Sequence, residues 1–466
     1  MVFSGLPFIY FFLPAALVLG LTLPVKGRNA AILLLSLFFY AYGEPRCLPL
    51  LVLAAVSAWG FGLWAEHMRG RKFSRLPLLC SCVLSLGLLV YFKYADFLLG
   101  TLRSLGAGVS LLHIVLPIGI SFYTFQATSY VADVTRGDVP AERSLIDFAA
   151  YLTFFPQLIA GPIVRYSDVQ EQMKVRNISL ERFADGAVRF SVGLGKKVLI
   201  ANVLAECTAD FAAAETPSVL FYLLYAVCNA LNIYFDFSGY SDMAIGLGML
   251  FGFEFPENFR HPFASRSAAE FWRRWHMTLG TWFRDYVYIP LGGSRCSLGK
   301  QIRNLLIVWA LTGLWHGAAW NYVLWGLYFG VFLILERLFL GKWLENAPGF
   351  VGHVYVVAVT LVSFLLFSAA NPLEAVSQLC GMLGLNGVPL WNGEALYALK
   401  SCAVILICAL IGAVPTVPFV VNRLRTHKSG DALCAVLRPV VTAALLLAST
   451  AFLVAGSFNP FLYWQF

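Results

Sequence analysis

The stretch Asn304-Leu-Leu-Ile-Val-Trp309-Ala-Leu-Thr-Gly-Leu-Trp315-His316-Gly-Ala-Ala-Trp320-Asn-Tyr-Val-Leu-Trp325-Gly-Leu-Tyr-Phe-Gly-Val-Phe-Leu-Ile-Leu335 carries no formal charge between Arg303 and Glu336. A bilayer is crossed by about 20 apolar residues, so this run reads as two crossings, 303–316 and 318–338, with His316 at the end of the first. An imidazole placed there lies well inside a membrane, where ionisable groups are costly and point to function by default. Its ordinary pKa near 6.5 lets it carry a proton in either direction near neutral pH. The plain alternative is a core histidine hydrogen-bonded to a backbone carbonyl.

The rest of the chain agrees with the membrane reading. Of its 466 residues 59% are hydrophobic and only 12% are charged, with a mean hydropathy of +0.74. No soluble domain needs so much apolar surface, so the chain reads as an all-α polytopic membrane protein, one integral membrane domain over 1–466. Leu6 to Leu23 has no basic segment before it and no small-residue cleavage site after it, so it reads as a first membrane helix and not a signal peptide. The ten cysteines are scattered, most of them inside apolar stretches. They read as small buried hydrophobes, with neither a disulfide framework nor a metal site. The net charge of +8 belongs to the basic loops a membrane protein keeps in the cytoplasm, and it says nothing of a nucleic-acid partner.

About twelve candidate crossings follow: 5–24, 29–43, 47–65, 76–92, 114–131, 184–204, 217–236, 303–316, 318–338, 352–370, 396–416 and 439–457. With the N-terminus on the exported side, the loops 25–28, 66–75, 132–183, 254–302, 339–351 and 417–438 are cytoplasmic. Together with Arg303 and Arg337 at their edges they hold 26 of the 33 lysines and arginines. The basic asymmetry therefore places both termini outside.

Two stretches do not fit simple crossings. Residues 145–165 are marginal in apolar length and broken by Pro156 and Gly161-Pro162, with cytoplasmic flanks on both sides. They read as a re-entrant element, since irregular backbone at membrane depth needs protein or a cavity around it. The loop 254–302 contains Phe271-Trp-Arg-Arg-Trp275-His276-Met-Thr-Leu279-Gly-Thr-Trp282-Phe283-Arg284-Asp285-Tyr286. Trp272, Trp275, Leu279, Trp282 and Tyr286 recur at helical spacing, which predicts one amphipathic helix at the cytoplasmic interface with its tryptophans toward bilayer or bundle. No internal repeat of the kind that marks many transporters is visible.

Polar residues outside the loops collect in four places. Ser121 and Thr124 lie in the helix around Leu116–Gln126, where hydroxyls commonly bond carbonyls one turn back. The second is the Pro156/Gly161-Pro162 element. The third, Asn232–Asp242, reads as a turn at the cytoplasmic end of a crossing, where Asp236 and Asp242 either cap helix N-termini around Gly239 or serve a site together with Ser238. The fourth joins His276 to His316. His276 reads as either an interfacial anchor or a site residue. Arg273 and Arg274 suit lipid headgroups or an anionic ligand.

These strings together resemble the membrane-bound O-acyltransferase (MBOAT) family, and within it the bacterial polysaccharide O-acetylation branch. The resemblance covers nearly the whole chain. It runs from Met1-Val2-Phe3-Ser4 through Tyr91–Tyr94, Leu116–Tyr123, Gly161-Pro162, Tyr234–Ala244, Phe271–His276, Trp282–Tyr286 and Gly313–Gly317 to the terminal Asn459-Pro460-Phe461. It implies about 11–12 transmembrane helices and funnels from both faces meeting at an intramembrane histidine. His316 matches the histidine usually given the catalytic role, and His276 the second family histidine. The chain departs from many relatives at Ser363-Phe-Leu-Leu-Phe-Ser368-Ala-Ala, where they carry an Arg-containing stretch, a departure that touches the acceptor side.

The chemistry fits the residues independently. A hydroxyl needs a base to take its proton as it attacks a thioester, and a neutral His316 in an apolar setting can accept it. The resemblance implies no permanently bound cofactor and no metal. It implies a cytoplasmic acyl donor, acetyl-CoA, whose phosphates would meet Arg273, Arg274 and Arg284, with Asp236 and Ser238 also on the donor side. The expected activity is passage of acetyl groups toward an extracytoplasmic polysaccharide from the bacterial inner membrane, completed by an exported or membrane-anchored transferase, with membrane lipids as the other partner. D-alanyl transfer to teichoic acid is the alternative within the family. A polysaccharide or lipid transporter is the alternative outside it.

Overall fold

The computed structural model describes residues 1–176, 178–212, 214 and 216–456. Asn459-Pro460-Phe461 and the end of the last expected crossing lie outside the described residues. Regular structure among the described residues is helical throughout, and each of the twelve expected crossings overlaps a helix. Among the described residues seven helices are long and apolar enough to span a bilayer: Pro45–Met68, Leu76–Ser104, Val219–Leu250, Trp320–Asn346, Gly349–Ser368, Gly393–Ala413 and Lys428–Val454. In lipid only a helix satisfies its backbone polar groups within one segment, which is why the long apolar runs take this form. The chain is a multi-pass membrane protein.

The chain divides into two compact units, Met1–Phe190 with Ser241–Glu257, and Ser191–Tyr240 with Asn258–Phe466. The core of the first unit is a cluster of fully buried phenylalanine rings, Phe3, Phe8, Phe39 and Phe155, with centroids 5.0 to 6.4 Å apart. The expected break in 145–165 is present. A helix Leu145–Thr153, capped by the Ser144 hydroxyl accepting from the Asp147 N–H at 3.2 Å, stops where Phe154 turns to ψ 114°. A short helix Phe155–Leu158 follows, with Pro156 in its first turn where no N–H is needed. Every residue from Phe148 to Val164 is buried, as irregular backbone in a membrane protein requires.

The crossing expected at 114–131 begins later, as the helix Ile120–Arg136. Gly119 precedes it at φ 74°, and a Cβ there would collide with the Leu158 carbonyl, so the chain must pass the broken element as glycine before it can wind. Lys93, one residue past the expected crossing 76–92, is buried within Leu76–Ser104 and donates to the Ser121 hydroxyl at 3.3 Å.

The second unit is organised around the helices Leu298–His316 and Trp320–Leu335, which come from the uncharged run. They cross where Gly326 meets the Trp309 carbonyl and Gly313 meets the Tyr322 carbonyl, with no room for a Cβ at either glycine. Close backbone approach at small residues is the usual way membrane helices gain packing energy when lipid is as apolar as their side chains.

Two sequence expectations are corrected. Asn232–Asp242 is not a turn but the middle of the continuous helix Val219–Leu250. Its two carboxylates are matched by basic side chains from other segments, so neither charge requires the helix to end there. Asp236 does not cap a helix. It pairs with Lys197 at 2.5 Å, while Asp242 accepts from Arg189 at 2.8 Å. The amphipathic helix expected over 271–286 is two short helices, Ala268–Arg274 and Met277–Phe283, broken at Trp275–His276.

Candidate active site

The break at Trp275–His276 builds the site. His276 takes a left-handed conformation, φ 44° and ψ 49°, which costs free energy in a non-glycine residue and persists only where the surroundings hold it. Asn258 supplies that hold. Its carbonyl accepts the Met277 N–H at 3.0 Å, and its side-chain oxygen accepts the Thr278 N–H at 3.3 Å and hydroxyl at 2.9 Å. The Arg260 N–H donates to the Arg274 carbonyl at 2.9 Å on the other side of the break. Upstream, the Ser267 hydroxyl caps Ala268–Arg274 by accepting from Glu270 N–H at 3.0 Å. The Glu336 carboxylate takes the next two free N–H groups, those of Ala268 at 2.5 Å and Ala269 at 2.9 Å.

So held, His276 is fully buried, and its ring faces protein and not lipid headgroups. Trp275 and Trp282, expected toward the bilayer or bundle, are buried as well. His316 closes the helix Leu298–His316 and is 1% exposed. The two imidazole centroids are 6.1 Å apart with their planes at 84°. Trp315 lies beside both, 5.5 Å from His276 and 5.0 Å from His316. Phe237 packs 4.7 Å from His276, and Trp325 and Phe367 pack 4.8 Å and 5.6 Å from His316. Two histidines enclosed by aromatic rings are what a water-poor proton-transfer site requires.

Burial pushes the His276 imidazole down to about 3, because a cation there would give up its hydration. Neither of its ring nitrogens has a hydrogen-bond partner among the described residues. At pH 7 His276 is therefore neutral, with one donor and one acceptor to offer.

The remaining candidates separate. Asp236 and Ser238 are each 1% exposed on Val219–Leu250, beside the Phe237 that touches His276. The carboxylate of Asp236 is engaged by Lys197, whose side chain is 4% exposed. Arg273 lines a cavity of about 650 Å³, together with Arg266, Glu270, Glu336, Arg337 and Glu345. Arg274 does not line it. It pairs with Glu270 one turn back at 2.7 Å. Arg284 is also away from the cavity, 60% exposed and paired with its neighbour Asp285 at 2.7 Å.

Residue-by-residue reading missed Asn258, Glu336 and Phe367. Asn258 and Glu336 gave no local signal, since each acts on backbone distant in sequence. Phe367 lies in the stretch singled out as a departure from the resembled family, and its ring is part of the His316 wall.

A model of the MBOAT, membrane-bound O-acyltransferase family matches residues 140–371, a span that includes both histidines. The chain is 38% identical to the probable alginate O-acetylase of Azotobacter vinelandii over the whole of both chains. It is 34% identical to the peptidoglycan O-acetyltransferase of Helicobacter pylori over 82% of this chain and 80% of that one. Similarity to the teichoic acid D-alanyltransferase of Bacillus subtilis is 31% and covers 48% of this chain and 60% of that protein.

Proposed function

The chain belongs to the membrane-bound O-acyltransferase family, in its polysaccharide O-acetylation branch, and we propose that it passes acetyl groups from acetyl-CoA in the cytoplasm to an extracytoplasmic polysaccharide. It is an acyltransferase. The observation that carries the mechanism is the meeting of His276 and His316, brought from distant parts of the chain to 6.1 Å in an aromatic enclosure. His316 takes the proton of the acceptor hydroxyl as its oxygen attacks the thioester carbonyl. The tetrahedral adduct then expels the thiolate, which receives the proton back from His316. His276, which burial holds neutral, orients a reactant as a donor.

The basic loops support a cytoplasmic side for the loop that carries Arg273, and with it a cytoplasmic donor and an exported N-terminus. The cavity beside Arg273 opens in the same polar loop region and carries Arg266 and Arg337 as further cations, while of its three carboxylates Glu336 is engaged by backbone N–H groups and Glu270 by Arg274. It suits the phosphates of a thioester donor better than Arg274 or Arg284, whose charges are already paired within their own segments. An exported or membrane-anchored transferase completes delivery to the polysaccharide. Acetyl transfer is favoured over D-alanyl transfer because similarity to the acetylating relatives runs over far more of the chain.

The test is the His316→Gln protein. It should insert, purify and melt as the parent does while losing roughly 10²–10⁴ of the transfer rate, the usual share of a general base. Full activity in that variant ends the mechanism.

A further inference from the structure

Ten cysteines read from the sequence as small buried hydrophobes, but the fold brings two of them together from positions 195 residues apart. Cys207 lies on the helix Asn202–Ala212 and Cys402 on Gly393–Ala413. Their sulfurs are 2.7 Å from one another, and Cys402 is buried. We propose that Cys207 and Cys402 are joined by a disulfide at the exported end of the second unit, a modification outside the acyl-transfer site.

Three observations support the bridge. The two helices are registered by independent ties between the connections that flank them. The Val219 and Leu220 N–H groups donate to the Pro389 and Leu390 carbonyls at 3.0 Å each, and the Asn392 amide donates to the Thr216 carbonyl at 2.6 Å. Contact between the sulfurs is therefore part of a packed junction and not a chance approach of two mobile side chains.

The depth is also right. Glu206 immediately precedes Cys207, and Glu206, Asp210 and Lys400 are all exposed. Charged side chains are costly in hydrocarbon, so the exposed Glu206, Asp210 and Lys400 mark the water-facing end of this junction, with Cys207 next to Glu206 and Cys402 two residues from Lys400. The compartment follows from charge. Neither 205–218 nor 384–392 contains a lysine or arginine, which puts both connections on the exported side, where disulfides persist. In the oxidation each thiol loses a proton and the pair loses two electrons. An exported protein carrying a reactive disulfide accepts them and leaves as its dithiol.

The bridge rests on the orientation proposed above and not on the chemistry at His316, and its test involves no acyl transfer. Membranes holding the full chain are quenched in acid, denatured, and alkylated with a polyethylene-glycol maleimide before and after reduction. Eight of the ten cysteines should react before reduction and all of them after it. Peptide mapping should join the Cys207 and Cys402 peptides, and Cys402→Ser should leave Cys207 reactive without reductant. Reaction of all ten in the unreduced sample overturns the proposal, as does a bridge mapped to another pair. So does a bond that appears only after an added oxidant such as diamide, since proximity alone would produce it. A Leu385→Cys probe labelled from the exported face, with all native thiols reactive, would sink the disulfide and leave the orientation standing.

Discussion

Removing the Lys197 ammonium should do more harm than removing the whole ion pair. Lys197 and Asp236 have side chains 4% and 1% exposed and lie 2.5 Å apart. The lysine sits in the π-helical segment Lys196–Ala201 and the aspartate at mid-helix in Val219–Leu250. Lys197→Met keeps most of the side-chain volume but leaves the Asp236 carboxylate buried without its cation. Breaking one partner of a buried pair costs about 3–5 kcal/mol, because the desolvation already suffered by the remaining charge is no longer offset. The double variant Lys197→Met, Asp236→Leu removes both charges, and apolar replacements of buried pairs range from neutral to stabilising by about 1–4 kcal/mol. Thermal unfolding in one detergent, followed by intrinsic fluorescence from the twelve tryptophans, compares the three proteins. The single variant should melt well below the parent and the double variant close to it. Equal losses in both would refute the argument, since they would mean the side chains matter for shape and not for charge. Transfer activity read on the same samples adds a second result. Phe237 adjoins Asp236 and packs against His276, so the single variant should also lose rate if the pair sets the register of this helix at the site.

Arg273→Glu should raise KM for acetyl-CoA about ten- to a hundredfold with a smaller change in kcat, the loss of one charge-assisted phosphate contact worth about 1.5–3 kcal/mol. Arg284→Glu, away from the cavity, should leave KM unchanged, and steady-state kinetics of both in one reconstituted preparation decides the assignment. The burial of His276 makes stability depend on pH. Its folded pKa, about 3, is depressed below the unfolded 6.5, so between those values the unfolded chain binds the extra proton. Stability is then complete above pH 6.5 and falls as pH drops toward 3, by about 2 kcal/mol at pH 5. The melting temperature of the parent should fall from pH 7 to pH 5 more than that of His276→Phe, and equal slopes would contradict the assignment. For orientation, Gly70→Cys and Lys428→Cys should label only from the cytoplasmic side, and the exposed Leu385→Cys only from outside. Labelling of positions 70 and 385 from the same face would break the crossing order.

What the residues determined on their own was the class of fold and the candidacy of His316. Uncharged runs long enough to cross a bilayer leave few alternatives to helices, because hydrocarbon offers no partner to a peptide group. The break after Thr153 was legible for a related reason, since Pro156 and Gly161-Pro162 forbid a continuous helix whatever surrounds them. His316 was legible because a titratable group in an apolar run is conspicuous without any structure.

The tertiary structure decided the rest. The tryptophan spacing from Trp272 to Tyr286 is truly helical, yet the chain breaks at His276, because a pattern of apolar residues records burial and not which backbone angles distant partners will impose. Asn258, Glu336 and Arg260 impose them here through hydrogen bonds to backbone groups, contacts that leave no periodicity in the sequence. Asp236 and Ser238 looked like a turn for the converse reason. A charge inside a helix reads as a helix end until the cation that neutralises it is known, and Lys197 lies on another segment. Which histidine faces which, which arginine reaches a cavity and which cysteines touch are all distances between segments remote in the chain, and those are set only when the helices pack.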